Sequence, residues 1–323
     1  MSNSYIPEGC LIGTAENREY ISSLAGLERA MMCGKILEAT AILCDERSRL
    51  HVDLYGVRGF IDREECVYCR GGESIKDIAI ITRVGKPVCF KVISICHDEI
   101  GPYAMLSRRE AQKECAMCYL ADLIPGDVIE SRVTHLESFG AFVDVGCGIS
   151  SLLSIDCISV SRISHPKSRI SVGMNLHTVV KSIDRDNGRI FVSLKELLGT
   201  WEENAAEFRA GSTVAGVIRS VESYGVFVEL TPNLAGLAEL RDSGGSAIIT
   251  PESVGCRAAV YIKSIIPERM KIKLVLIDCS GEHVAASPLK YFVNTSKVRH
   301  IDRWRYSPDC CEKITESVFE VGR

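Results

Sequence analysis

Two short stretches of this 323-residue chain carry rings at the same spacing, ESFGAFVDVG at 137–146 and ESYGVFVELT at 222–231. The first holds Phe139 and Phe142, and the second Tyr224 and Phe227. An exposed ring offers a π-face to any nucleobase, worth about 1–3 kcal/mol per base with little sequence preference. The competing reading is that one ring of each pair fills a core. A third stretch, SRISHPKSR at 161–169, gathers Arg162, His165, Lys167 and Arg169 in a predicted loop, suited to a phosphate or simply to solvent. A fourth, YFVNTSKVRHIDRWRY at 291–306, interleaves five basic side chains with Tyr291, Phe292, Trp304 and Tyr306. Basic and aromatic groups together suit nucleic acid. Packing of Trp304 on the preceding domain is the favoured alternative there.

The thiols suggest other chemistry and lead less far. Cys66 with Cys69 and Cys115 with Cys118 form two CxxC pairs, and a four-thiolate zinc site would need both pairs to converge. Incidental thiols on a loop and a helix are the preferred reading, and no cofactor is expected. The chain's 15 cysteines are scattered, which suits buried thiols in a reducing cytosol better than a stapled secreted fold. Catalysis has little footing. A phosphate loop, HExxH, GxSxG and a carboxylate cluster are all lacking, and the glycines of RGGES and GCGIS sit in no βαβ unit. Asp184 beside Asp186 fits a hairpin better than acid–base work.

The elements that must position these residues come in repeats. Gly126, Phe139, Gly140, Phe142 and Val143 return as Gly211, Tyr224, Gly225, Phe227 and Val228. VGMNLHTVVKSID at 172–184 parallels VGCRAAVYIKSII at 254–266 and, more weakly, VGKPVCFKVISIC at 84–96. MLSRRE at 105–110 parallels FVSLKE at 191–196. Each unit reads as short β segments. Phe142 and Val143 point to opposite sides of one of them, and Gly140 or Gly225 is suited to a bulge or sharp bend. DRDNG at 184–188 predicts a hairpin, because Asn-Gly accepts positive φ. Five such strands suit a small closed barrel, which leaves no open sheet edge. Helices are predicted over 17–39 with an Asn17 cap, over SRREAQKECAMCYLADLI, and over SLKELLGTWEENAAEFRAG. A short closing helix is expected in CCEKITESVFE.

Composition bounds the class of protein. Hydrophobic residues make up 46% and charged residues 25%, with a formal charge of −4 and a pI near 6.0. This is the balance of a soluble globular protein and excludes a polybasic nucleic-acid coat. No run approaches the roughly 20 apolar residues of a bilayer span, and the first residues lack the pattern of a secretion signal, so a cytoplasmic protein with no membrane partner is expected.

The stretch GDVIESRVTHLESFGAFVDVG, continued by SLLSID and VGMNLHTVVKSIDRDNGRIFVSLKE, resembles the S1 RNA-binding domain of bacterial ribosomal protein S1 and polynucleotide phosphorylase. Over residues 33–277 the chain resembles a short, three-repeat ribosomal-protein-S1-like protein of Firmicutes. The resemblance implies a mostly β fold of tandem five-stranded OB-fold barrels joined by short helices. It also implies non-catalytic binding of single-stranded RNA, message included, in or near translation, with association with the small ribosomal subunit open. A structural adaptor that docks proteins through its barrels is the alternative. The oligomeric state stays open, with a monomer as the default.

The implied domains are an N-terminal helical segment (1–32), a degenerate repeat (33–110), a connector (111–124), the repeat with the fullest motif (125–196), a connector (197–209), a third repeat (210–277) and a basic-aromatic extension (278–323). In the middle repeat, the family's two rings fall on Phe139 and Phe142, its histidine on Ser154, and its acid and base on Asp184 and Arg189. In the third repeat they fall on Tyr224, Phe227, Glu239, Ile266 and Lys271, with Lys273 in support. In the first they fall near Ser48, His51, Cys96 and Pro102, which implies an RNA face largely lost and a docking role instead. Residues 125–196 hold eight basic and eight acidic side chains, so stacking and a local patch would supply most of the affinity.

Overall fold

The computed structural model describes residues 5–69, 75–239, 250–284 and 289–319. Alternating burial along short strands produces three closed five-stranded barrels. In the first, β1 (Leu37–Cys44), β2 (Leu50–Leu54), β3 (Val57–Ile61), β4 (Pro87–Asp98) and β5 (Gly101–Ser107) join in the order β1-β2-β3-β5-β4. The second uses β6 (Val128–Glu137), β7 (Gly140–Asp144), β8 (Ser150–Ser154), β9 (Asn175–Asp184) and β10 (Arg189–Ser193). The third uses β11 (Thr213–Glu222), β12 (Gly225–Thr231), β13 (Leu234–Glu239), β14 (Cys256–Ile266) and β15 (Lys271–His283). Each barrel closes through one parallel pair, β3 with β5, β8 with β10 and β13 with β15. Among the described residues no helix is long and apolar enough to cross a membrane.

The helices differ from their sequence pattern at the ends. Residues 17–39 form two helices, α1 (Ala15–Ile21) and α2 (Leu24–Cys33). Thr14 caps α1, Ser23 caps α2, and Gly34 ends α2 at φ 63°. Asn17 lies inside α1, buried, and its amide bonds the backbone of Glu38 through both its oxygen and its nitrogen. After the short α3 (Asp77–Ile81), α4 (Arg108–Cys115) starts at the Ser107 cap and runs into a wider turn at Ala116–Leu120. Gly199, at φ 82°, breaks the connector after barrel two into a tight turn at Lys195–Leu198 and α5 (Trp201–Ala205). The expected closing helix is instead a strand, β17 (Glu316–Val318), paired with β16 (Arg303–Arg305). Val318 stands opposite Arg303 and Glu316 opposite Arg305, so backbone pairing wins over helix propensity there.

The chain packs as two compact units, one of Met1–Leu123 with Glu130–Arg132 and Asp144–Ser150, the other of Ile124–Ile129, Val133–Val143 and Ser151–Arg323. The first unit is built around a fully buried guanidinium. Arg108 donates from Nε to Glu8 at 2.6 Å, from Nη2 to Glu8 at 3.0 Å and from Nη1 to the Cys66 carbonyl at 3.0 Å. Burial alone would raise the Glu8 carboxyl, but the charge and hydrogen bonds of Arg108 hold it below its ordinary value. Asp144 accepts from the N–H groups of Glu8, Gly146 and Gly148. Burial, with the Glu8 charge nearby, still pushes Asp144 up to about 7. Burial likewise pushes Glu38 up to about 7, although Gly9, Leu11 and Ile12 donate to it.

These two raised acids set a pH dependence. Between their ordinary values of 3.8 and 4.5 and about 7, the folded unit binds more protons than the unfolded chain. Stability from this source therefore falls as pH rises through that window and is flat above it. The first unit is expected to melt higher at pH 5 than at pH 8 by circular dichroism, with Asp144→Asn and Glu38→Gln together flattening the difference. A transition that rises with pH in the parent chain and is unchanged in that variant contradicts the assignment.

The CxxC thiols sit in different surroundings. Cys66 sits in the barrel-one core, where its Sγ contacts the carbonyls of Ile61 and Asp62 and burial pushes the thiol up to about 12. Cys115 is buried, while Cys118 is exposed. Among the described residues no group of three His, Cys, Asp or Glu side chains is arranged to hold a metal.

Candidate nucleic-acid interface

The repeated ring pairs take the same geometry in both barrels. Phe139 and Phe142 stand 6.1 Å apart at 89°, and Tyr224 and Phe227 stand 6.2 Å apart at 89°. The outer rings are open, Phe139 at 53% and Tyr224 at 59% exposure, while Phe142 and Phe227 are half-buried. Edge-to-face contact of this kind fixes the inner ring by the outer one. In the third barrel Gly225, between the rings, pairs in regular register and makes no bulge. A Cβ on Gly140 would lie 2.4 Å from the Leu153 carbonyl oxygen, and one on Gly225 would lie 2.7 Å from that of Ala238. Glycine is needed there for close approach of the neighbouring strand. The register shift beside the rings of the third barrel falls instead on the adjoining strand, between Ile218 and Ser220, opposite Val228 and Phe227.

Strand pairing places the other expected residues. Gly225 is opposite Glu239, and in barrel two Gly140 lies against Leu153 and Ser154, so Ser154 and Glu239 occupy equivalent sites beside the rings. Arg189 is opposite Asp184 across the second barrel's last hairpin, and Lys271 is opposite Ile266 across the third's. Arg189 is exposed. Asp184 is committed differently: its carboxylate accepts from the Asn187 amide N–H at 3.0 Å and side chain at 2.7 Å. Those hydrogen bonds, with the Arg189 charge on the facing strand, hold its carboxyl below the ordinary value, so it shapes the turn and faces Arg189 at once. Gly188, at φ 62°, completes the predicted Asn-Gly hairpin. Lys271 is exposed, and Lys273 pairs in register with Leu237, as Phe191 does with Leu152.

Three further side chains of barrel two join this face. His135 stacks on Phe142 at 6.5 Å and 26°, and its Nε2 lies 2.8 Å from Glu137. Phe191 and Lys181 line a 230 Å³ cleft with Ser154 and Leu152, and Lys181 Nζ reaches Cys157 Sγ at 3.2 Å. Period-two alternation was the available signal for Phe191, which lies between buried Ile190 and Val192. No local pattern marks His135, whose place depends on the facing strand.

The basic loop divides. Arg162 and Lys167 are exposed, and His165 is half-buried and accepts the Lys167 N–H at its Nδ1. Arg169, expected beside them as a phosphate ligand, is buried at 5% exposure. It donates bidentately to Glu229 at 2.6 and 2.7 Å. It is therefore removed from this interface. The tail rings also turn inward. Trp304 and Tyr306 pack in the barrel-three core, and Tyr291 accepts from the His177 amide, leaving Lys297 and Arg299 exposed.

Barrel one is less bare than its sequence reads. Tyr103 stands opposite Cys96, as Arg189 stands opposite Asp184, so Tyr103 rather than Pro102 takes the basic position. Phe60 packs edge-on against His51 at 4.9 Å and Tyr103 at 5.6 Å, and Arg49 and Arg58 each lie 5.5 Å from one of these rings. Both guanidiniums of the cluster already have an acid, Arg49 with Asp62 and Arg58 with Asp98, and His51 Nε2 lies 3.2 Å from Asp45. Ser48, at φ 59°, is a turn residue.

Residues 122–195 match the family described as the S1 RNA binding domain. The chain is 32% identical over 278 residues to the small ribosomal subunit protein bS1 homolog of Bacillus subtilis, covering 84% of this chain and 67% of that one. The chain belongs to the ribosomal protein bS1 family. It is also 29% identical to bS1 of Staphylococcus aureus over 82% of this chain and 67% of that one. Against bS1 of Leuconostoc lactis the figures are 30%, 71% and 53%. A solved multidomain protein with nucleic acid binding domains from Streptococcus pneumoniae aligns over 76% of this chain and 74% of that one, at 15% identity and a TM-score of 0.24, which is too low to bear on the fold. Membership of the bS1 family rests on the sequence, and the barrel architecture on the strand pairing of this chain.

Proposed function

We propose that this bS1-family chain holds single-stranded RNA, message included, on the ring-bearing faces of its second and third barrels, without making or breaking a bond in it. The observation that carries the reading is the ring pair kept at one geometry in two barrels, with the outer ring open each time. In barrel two, Phe139 and Phe142 stack bases, Arg189 meets the backbone, Ser154 sits beside the rings where a hydroxyl can bond a base edge or a 2′-OH, and Arg162, Lys167 and His165 extend the phosphate track. In barrel three, Tyr224 and Phe227 stack, with Lys271 and Lys273 on the phosphates and Glu239 weakening the hold. Two weak sites on one strand recover affinity through effective concentration.

The setting we propose is the cytoplasm, at or near the small ribosomal subunit. Barrel one favours a docking role. The guanidiniums of its ring cluster, Arg49 and Arg58, are already paired with carboxylates, while Ile42, Leu43 and Ile93 are exposed on its strands. Fluorescence anisotropy with an unstructured RNA and a duplex of equal length, at two salt concentrations, tests the main reading. Saturable binding that prefers the single strand is expected, with a log–log salt slope of about −0.7 for each phosphate neutralised. Equal affinity for the duplex, or no saturable binding, would sink it and leave protein docking as the better account of the barrels.

A further inference from the structure

Glu229 is the single carboxylate between two guanidiniums. Besides Arg169, it accepts from Arg219 Nε at 2.8 Å and Nη2 at 2.9 Å. Burial alone would raise its pKa, but hydrogen bonds from both arginines hold it low, so it is ionised. The side chains of Arg169 and Glu229 are each 5% exposed and that of Arg219 is 13% exposed, so one positive charge is left over inside the protein. Buried charge is normally paired, and an unpaired one is costly. Arg169 Nε has no hydrogen-bond partner among the described residues.

The same three side chains line a 430 Å³ cavity in the second unit. Arg257 lines it too, exposed and without an ion-pair partner among the described residues, which brings the surplus to two positive charges. Lys290 adds none, since it is paired with Glu207. Lys290 Nζ stands 4.9 Å from the centroid of Phe292, another lining residue. That ring is held in place: its backbone N–H bonds the Leu197 carbonyl at 2.9 Å, and it lies so close to Gly199 that a Cβ there would be 2.7 Å from it. The volume lies within the roughly 300–1,000 Å³ of small-molecule sites.

We propose that this cavity binds the phosphate monoester of a nucleoside, with Arg169, Arg219 and Arg257 on the phosphate and Phe292 under the base. The charge count selects the monoester. It carries about −1.5 to −2 at neutral pH and matches the surplus, whereas each internal phosphate of an RNA strand carries about −1. A free nucleotide and the phosphorylated end of an RNA share this chemistry. The site is separate from the ring faces and stands whether or not those faces hold RNA.

Isothermal titration of the full chain with adenosine 5′-monophosphate, adenosine and inorganic phosphate tests it. Saturable binding of the nucleotide is expected, tighter than that of phosphate, with none of adenosine. Arg257→Ala, which breaks no ion pair and leaves the melting curve in place, is expected to weaken nucleotide binding by about tenfold or more. A Phe139→Ala, Phe142→Ala chain keeps nucleotide binding, which separates this site from the ring faces. Short RNAs with 5′-phosphate and 5′-hydroxyl ends distinguish the two sources in that ring-face variant. A phosphate-dependent gain lost with Arg257→Ala marks the strand end, and its absence beside nucleotide binding marks the free nucleotide. No saturable nucleotide binding, equal binding of inorganic phosphate, or indifference to Arg257→Ala would overturn the proposal.

Discussion

Replacing Phe139, Phe142 and Arg189 together by alanine is expected to abolish RNA binding by the second barrel and to leave the chain folded. Each ring contributes about 1–3 kcal/mol of stacking, so the two alone correspond to a loss of at least about thirtyfold. Arg189 adds a charge-assisted contact worth about 1.5–3 kcal/mol. Phe139 is half exposed and Arg189 is exposed, so neither is a large part of the barrel's core. Phe142 is the costlier truncation, because His135 stacks on it and its edge-to-face partner is Phe139. Residual affinity then reports the third barrel, and adding Tyr224→Ala and Phe227→Ala is expected to remove it. Anisotropy with an unstructured oligonucleotide gives the affinity, and far-UV circular dichroism checks the fold. A folded triple variant that binds as tightly as the parent would show that the rings are not the platform. The exposed tail cations Lys297 and Arg299 would be the next RNA candidates.

Arg108→Ala is expected to be the most damaging single truncation in the first unit, costing about 3–5 kcal/mol. The loss is not that of one salt bridge. It strips Glu8, whose carboxylate is 7% exposed, of its bidentate partner and leaves it the longer contact to Arg83 at 3.4 Å and the Cys89 N–H at 3.0 Å. It also leaves the Cys66 carbonyl without its Nη1 donor. Against a typical domain stability of about 5–15 kcal/mol, this is enough to populate the unfolded unit. Replacing both partners, Glu8→Gln with Arg108→Met, removes the stranded charge and is expected to recover part of the loss. Urea unfolding followed by circular dichroism measures both variants. A single-variant cost under about 1 kcal/mol, or a double variant no better than the single, would show that the pair is not what holds this unit together. Because the ring faces lie in the second unit, Arg108→Ala is also expected to leave RNA affinity nearly unchanged at low temperature.

The sequence by itself determined the repeats, the barrels and the ring pairs. These are local properties. Asn-Gly selects the hairpin at 187–188, and alternation decides which side chains of a strand face the core. What the sequence could not show was which partner waits across a long separation. Arg162, Lys167 and Arg169 look alike in a loop of nine residues, yet Arg169 alone is taken inside, by a carboxylate 60 positions further on. Glu8 and Arg108 meet across 100 positions. Tyr103 rather than Pro102 fills the basic site of barrel one because strand register, not residue count, sets what stands opposite Cys96. His135 joins the rings through β7, and the tail rings turn inward because barrel cores accept them. Local periodicity fixes the side of a strand on which a residue lies. Only tertiary structure decides whether that side meets solvent, a ring or a buried charge of opposite sign, because the cost of burying a charge depends on the partner that burial brings to it.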